Sequence, residues 1–311
     1  MVPRAEFQSY YGRPVLKPPV WEWKVPAYLF TGGLSAGAAV LAAGADLTGR
    51  PELRRWSRIG SLAGLGASTY LLVADLGRPE RFHHMLRVAK PTSPMSVGTW
   101  ILAVYGPFSG LAAVTELLPP PVRRSLPEWL PTWTGRLSGL VAAGVAPALA
   151  SYTAVLLSQT AVPAWQEARA YLPFVFTGSA AASGGGLGMI CAPVAEAGPA
   201  RAFAAAGAAT ELASSQLLER RIGMVGEAYH TEKARRWQLA SDGLTAAGLL
   251  GVLGARRSRT IAVASGLALL AGSVCKRFGT FAAGVESTKD PKYVVVPQRE
   301  RLARKEAAAK A

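Results

Sequence analysis

DLGRPERFHHMLRVAKPTSPMSVGTW, residues 75 to 100, is a polar segment set between two long apolar runs, and it gathers four basic residues and two of the three histidines. Asp75 closes the first run. Ser93, Pro94 and Ser96 open the second, because serine is a good helix N-cap and proline suits a first helical turn. Between them Phe82, Met85, Leu86 and Ala89 recur at three- and four-residue steps, which predicts a short amphipathic helix lying at an interface. Between two helix-length apolar runs, such a polar segment is unusually rich for a loop.

Composition agrees. Half of the 311 residues are hydrophobic and only 17% are charged, where a soluble protein is about a quarter charged. The formal charge of +15 sits between apolar runs rather than in one stripe, so a membrane protein is expected and a nucleic-acid interface is not. Cys191 and Cys275 lie far apart, too few for an iron–sulfur cluster or structural zinc of the protein's own, and no disulfide is expected. The first twenty residues are proline-rich with no apolar core, so insertion is expected to use the first spanning helix rather than a cleaved signal.

Eight segments approach the roughly 20 apolar residues that a spanning helix needs. They lie near 25–45, 57–75, 96–118, 135–157, 170–192, 199–218, 239–255 and 259–281. Runs such as LSAGAAVLAAGA and GSAAASGGGLG predict close helix packing. With eight spans, both termini share a face with residues 75–100. Of the 34 Lys and Arg, 23 fall on that face, 18 once the five beyond Pro297 are set aside, against 11 opposite. That bias places the termini and the motif face in the cytoplasm.

The sequence also reads as duplicated. ASTYLL at Ala67 to Leu72 matches ASSQLL at Ala213 to Leu218, and Phe30-Thr31-Gly32 matches Phe176-Thr177-Gly178, both at an offset of 146. The reading is an all-α membrane protein of eight transmembrane helices in two four-helix bundles. Residues 1–24 form an interfacial segment, 25–157 the first bundle, 158–281 the second, and 282–311 a basic tail acting as a surface strap or partner contact. DLGRP has no counterpart in the second copy, so chemistry is expected in the first.

His83, His84 and His230 fall in loops, which does not suit axial ligation of haem between helices. Asp75, Arg78 and Arg81 make a charged group that either pairs internally or binds a head group. Beside a Gly-Pro turn, a helix entrance at Ser96 and the ring of Trp100, the same group suits a flat carbonyl-bearing ring. Tyr28, just after Trp21, Glu22 and Trp23, and Tyr152 near the end of the fourth span are belt residues or hydroxyl donors to that ring. Glu211, deep in the sixth span, and Asp242 suggest a proton path; Glu116 lies nearer a helix end. The alternative for Glu211 is a packing hydrogen bond or a salt bridge to Lys276 or Arg277.

At these residues the sequence resembles the NrfD/PsrC family, membrane subunits of polysulfide reductase and related complex iron–sulfur molybdoenzymes. The carriers are YYGRP at Tyr10 to Pro14, WEWKVPAYLFTGGLSAG, DLGRPERFHHML, KPTSPMSVGTW, SYTAVLLS at Ser151 to Ser158 and KDPKYVVVPQR. The resemblance implies two haem-less bundles exchanging electrons between a membrane quinone, menaquinone or ubiquinone, and a ferredoxin-like iron–sulfur subunit that serves a molybdopterin subunit. The protein alone is then not a catalyst. The resemblance places the quinone pocket in the first bundle, with Tyr28 where some members carry His and Tyr152 as a partner to the head group; Asp75, Arg78, Arg81, His84 and Trp100, read from the residues themselves, complete the candidate quinone-binding set. Many members carry Trp at the position of Val97, and the best-known ones hold their catalytic subunits outside the cytoplasm, against the loop charges here. Two rival readings are a proton channel or transporter, from the repeat and Glu211, and a purely structural anchor. The terminal substrate belongs to another subunit.

Overall fold

The structure, a computed structural model, describes residues 14–310, and among them every regular element is a helix. The part of YYGRP from Tyr10 to Arg13 and most of the expected interfacial segment lie outside the described residues. Eight long helices follow in order: α1 (Lys24–Leu47), α2 (Pro51–Ala74), α3 (Pro94–Leu117), α4 (Trp129–Ser158), α5 (Leu172–Cys191), α6 (Gly198–Arg221), α7 (Glu232–Gly254) and α8 (Arg259–Ser287). A ninth, α9 (Lys292–Lys310), covers most of the expected tail. Its first turn buries Tyr293, and Lys292 to Glu227 and Arg301 to Glu167, each at 2.7 Å, tie it to the body of the protein.

Five helices, α1, α3, α4, α5 and α8, are long and apolar enough to cross a membrane, or six if α2 and the 3₁₀ helix Pro79–Leu86 form one span bent by 108°. The expected spans at 199–218 and 239–255 are present as α6 and α7 but fall short on apolarity, and α2 alone does too. These helices carry polar groups both outside and within: Arg55 on α2, Arg220 and Arg221 on α6 and Arg235 and Arg236 on α7 are exposed, while Arg58, Glu211, Gln238 and Ser241 are buried. A window average counts buried and exposed polar groups alike.

Small residues set the core. α1 and α5 cross where Gly37 faces Ala180 and Gly184, and a Cβ on Gly37 or Gly184 would run into backbone of the other helix. α5 meets α6 in the same way at Gly178 and Gly207. The neighbour pattern repeats: α1 packs on α2 and α4, and α3 on α4, as α5 packs on α6 and α8, and α7 on α8. An eight-residue 3₁₀ helix follows the second helix of each half, Pro79–Leu86 and Gly223–His230.

The polar segment differs from its expectation. The predicted amphipathic helix is a 3₁₀ helix that stops at Leu86, short of Ala89, and none of its residues is buried. Ser93 does stand at the N-cap of α3, yet its hydroxyl makes no cap bond. Ser96 ties the loop instead: its hydroxyl donates to the Val88 carbonyl at 3.0 Å and accepts from the Lys90 amide at 2.9 Å.

Candidate functional site

Tyr28 sits one turn into α1 and turns inward, buried, where the Ser68 hydroxyl of α2 donates to its backbone carbonyl at 3.1 Å. Across from it, Tyr152 of α4 lays its ring over Gly98 of α3, where no side chain would fit. The two rings share a cavity of about 50 Å³ whose remaining wall includes Leu72, Met85, Met95 and Thr99. Among the described residues neither tyrosine hydroxyl has a hydrogen-bond partner, and Asp75 and Tyr152 both lie close enough to Tyr28 to act on it electrostatically. Two unengaged hydroxyls thus face one small, largely apolar cavity.

Asp75 caps α2, half-buried, beside Lys24, which donates to the Ala74 carbonyl at 3.3 Å and pairs with Glu22 at 3.4 Å. Burial pushes the Asp75 carboxyl above its ordinary value; Lys24 opposes that shift and Glu22 adds to it. The expected pairing of Asp75 with Arg78 and Arg81 does not form among the described residues. Arg78, Arg81, His83 and His84 are all exposed, because the short 3₁₀ helix carries them outward past the end of α2. Trp100 is displaced as well. It lies on the next face of α3, its indole N–H donating to the Val88 carbonyl at 3.4 Å, and lines a separate open groove of about 410 Å³ with Val97 and Val104. The structure therefore brings Tyr28, Tyr152 and Asp75 together and leaves Arg78, Arg81, His84 and Trp100 around the outside.

In the second half Glu211 is fully buried, with Lys276 and Arg277 as its charged neighbours. The expected salt bridge from Glu211 is absent. Lys276 pairs with Asp242 at 2.7 Å and with Gln238 at 3.1 Å, while Arg277 donates to the Phe176 carbonyl at 3.0 Å and stacks 3.7 Å over that ring. Glu211 keeps a 3.5 Å contact from the Ser241 hydroxyl, and its other oxygen is unpartnered, as are Nε and Nη1 of Arg277. Trp21 stacks on buried Trp165, whereas Trp23 stays exposed as a belt residue would.

Two polar clusters in the first half escape a reading by motif. At the end of α1 far from Tyr28, Asp46 and Glu116 are gripped by Arg54, Arg58 and Arg136 at 2.7–3.7 Å. Midway along, the Tyr105 hydroxyl meets those of Ser35 and Ser61 at 2.8 Å each, and Ser61 meets Ser109 at 2.9 Å, all buried. The four-residue steps Arg54–Arg58 and Tyr105–Ser109 are the sequence signal for them. No cluster of three or more His, Cys, Asp or Glu side chains fit to hold a metal occurs among the described residues.

A family model described as polysulphide reductase, NrfD, matches residues 14–202 of this protein. That range contains Tyr28, Asp75, Trp100 and Tyr152 and stops short of Glu211 and Asp242. The C subunit of the polysulfide reductase of Wolinella succinogenes is 36% identical over 94 residues, a match covering 28% of the sequence and 30% of that subunit's length.

Proposed function

The protein belongs to the polysulphide reductase NrfD family, and from that premise we propose that it is the haem-less, quinone-reactive membrane anchor of an oxidoreductase complex. In this reading eight crossings form two duplicated four-helix bundles, residues 25–157 and 158–281. The first holds an exchangeable menaquinone or ubiquinone and passes electrons to or from a ferredoxin-like iron–sulfur subunit serving a molybdopterin subunit. The protein is not catalytic alone. The motif face and both termini lie in the cytoplasm.

The observation that carries this is the pair of unengaged hydroxyls, Tyr28 and Tyr152, across one small cavity next to Asp75. A quinone supplies reversible two-electron, two-proton chemistry. Tyr28 and Tyr152 are placed to donate hydrogen bonds to its carbonyl oxygens, and Asp75, at the aqueous edge, to exchange the proton. At about 50 Å³ the cavity holds a water or two rather than a ring. A ring enters by moving Met85 and Met95, whose flexible thioethers form its outer wall. The groove beside Trp100 runs along the adjacent face of α3 and offers an apolar tail a place to lie. Arg78 and Arg81, with His84 beside them, form a polar rim on the face where the soluble subunit would dock. Glu211 and Asp242 are assigned to proton movement in the second half.

The test is quinone-linked turnover of the intact complex. Tyr152→Phe and Asp75→Asn should each cut it by roughly tenfold or more, the size of one hydrogen bond to a polarised oxygen, while assembly is unchanged. Wild-type turnover in both variants would remove the site. The unpaired Glu211 oxygen favours a second reading, a proton channel. Proton flux through the purified protein in liposomes, abolished by Glu211→Gln, would establish that reading over the first.

A further inference from the structure

A large recess lies at the other end of the first half, where α3 gives way to α4. It encloses about 900 Å³, and its floor is Glu116, already held by Arg54 at 2.7 Å and Arg58 at 2.8 Å. Its walls carry three further guanidinium groups: Arg55 from α2, and Arg123 and Arg124 from the short helix Pro120–Ser125. Among the described residues none of these three has an ion pair or a side-chain hydrogen bond; Arg55 has only the ring of Trp56, 5.9 Å away. Glu128 supplies the one additional acidic group in the lining, so the recess is net cationic. Among the described residues, then, three guanidiniums face one space without an ion pair, and Glu128 is the one carboxylate there not already held by arginines.

Its surroundings say what such a partner would be attached to. Leu117 and Leu118 form the apolar side of the recess. From Leu117 an exposed ridge continues down α3 through Val114 and Leu111 at three-residue steps, facing outward along the helix. Trp129 and Trp133, 63% and 54% exposed, stand in the first turns of α4, where interfacial indoles mark the head-group level. A basic recess at that level opening onto an apolar ridge matches a molecule with a charged head and a long apolar body.

We propose that this recess binds the phosphate head of an anionic phospholipid, with Arg55, Arg123 and Arg124 as its ligands and the α3 ridge as the bed of an acyl chain. The guanidinium fork suits phosphate oxygens bidentately, which lysines or an exposed helix end would not provide. The site lies at the opposite end of α3 from Gly98 and stands independently of the quinone assignment.

The full-length protein, purified in detergent, is assayed for co-purifying phospholipid by native mass spectrometry and for thermal stabilisation by short-chain phosphatidylglycerol, short-chain phosphatidylcholine or inorganic phosphate. The expected result is about one retained anionic lipid per protein molecule and stabilisation by phosphatidylglycerol alone. Arg55→Gln, Arg123→Gln and Arg124→Gln should weaken retention by roughly fivefold each, and the corresponding Lys variants should retain part of it. Equal stabilisation by phosphatidylcholine, or full retention in the triple Gln variant, would overturn the proposal. Stabilisation by inorganic phosphate equal to that by phosphatidylglycerol would overturn the lipid as occupant in favour of a free anion. Should the triple variant fail to fold, Arg124→Gln alone decides, since it is exposed and its fivefold loss is measurable by itself.

Discussion

Gly98 and Tyr152 depend on one another: the phenol ring lies where any larger residue at 98 would put its side chain. Gly98→Ala should therefore push Tyr152 out of the cavity and reproduce the turnover loss of Tyr152→Phe, although Tyr152 itself is intact; wild-type turnover in that variant would contradict the geometry. Asp75 gives a test in pH. Burial raises its carboxyl, so it keeps its proton to higher pH than a free aspartate, and proton acceptance by the carboxylate fades as pH falls through that raised value. The acidic limb of the pH–rate profile should vanish in Asp75→Asn. It should move to higher pH in Lys24→Met, which removes the opposing cation, and to lower pH in Glu22→Gln. Of these residues Asp75 was legible from its place at the end of an apolar run. Tyr28 and Tyr152 stood out from ordinary belt tyrosines by resemblance, because nothing local shows that two hydroxyls from helices more than 100 residues apart meet. Arg78, Arg81 and His84 read as one group with Asp75 because they are near in sequence; the turn at Gly77 and Pro79 separates them in space.

Helix by helix, small residues decide more than apolar ones. Gly184→Val should disrupt the α1–α5 crossing, where the new side chain meets Gly37 backbone, and cost more than the ~1–3 kcal/mol usual for overpacking, with loss of folded protein in detergent. Gly44→Ala in the same α1 meets nothing within 4 Å and should be neutral or stabilising by up to about 1 kcal/mol. Similar losses from both, measured as thermal stability, would show that glycine content rather than the crossing matters. Tyr105→Phe should cost about 1 kcal/mol, because it removes the bonds of that hydroxyl to Ser35 and Ser61 while Ser35 keeps the Ser61 carbonyl and Ser61 keeps Ser109. The helices themselves were readable from length and apolarity. What stayed hidden was the facing of α2, α6 and α7, since a hydropathy average treats Arg58 or Glu211 alike whether it meets lipid or another helix.

At the scale of the molecule, the two halves repeat an order of elements but not a chemistry. The first joins a tyrosine-lined cavity at one end to an arginine–carboxylate cluster at the other, and the second buries Glu211, Lys276 and Arg277 near its middle. One shared offset is the sequence's sign of a repeat, whereas the number of crossings was not legible, because only five of the eight long helices pass as spans on composition, or six with α2 and its bent 3₁₀ helix. Orientation and the parity of the crossings are open to direct measurement. With Cys191 and Cys275 replaced by serine, single cysteines at Arg81→Cys, Arg124→Cys and Glu300→Cys are probed in whole cells with a membrane-impermeant maleimide. Eight crossings put Arg81 and Glu300 on one face and Arg124 on the other, and the excess of Lys and Arg beside the first pair puts that face in the cytoplasm. The expected outcome is labelling of position 124 in intact cells and of 81 and 300 only after lysis. Labelling of 81 and 300 from outside with 124 protected would keep an even number of crossings between 81 and 300 and reverse the orientation, and labelling that separates 81 from 300 would refute that even number and with it the eight crossings.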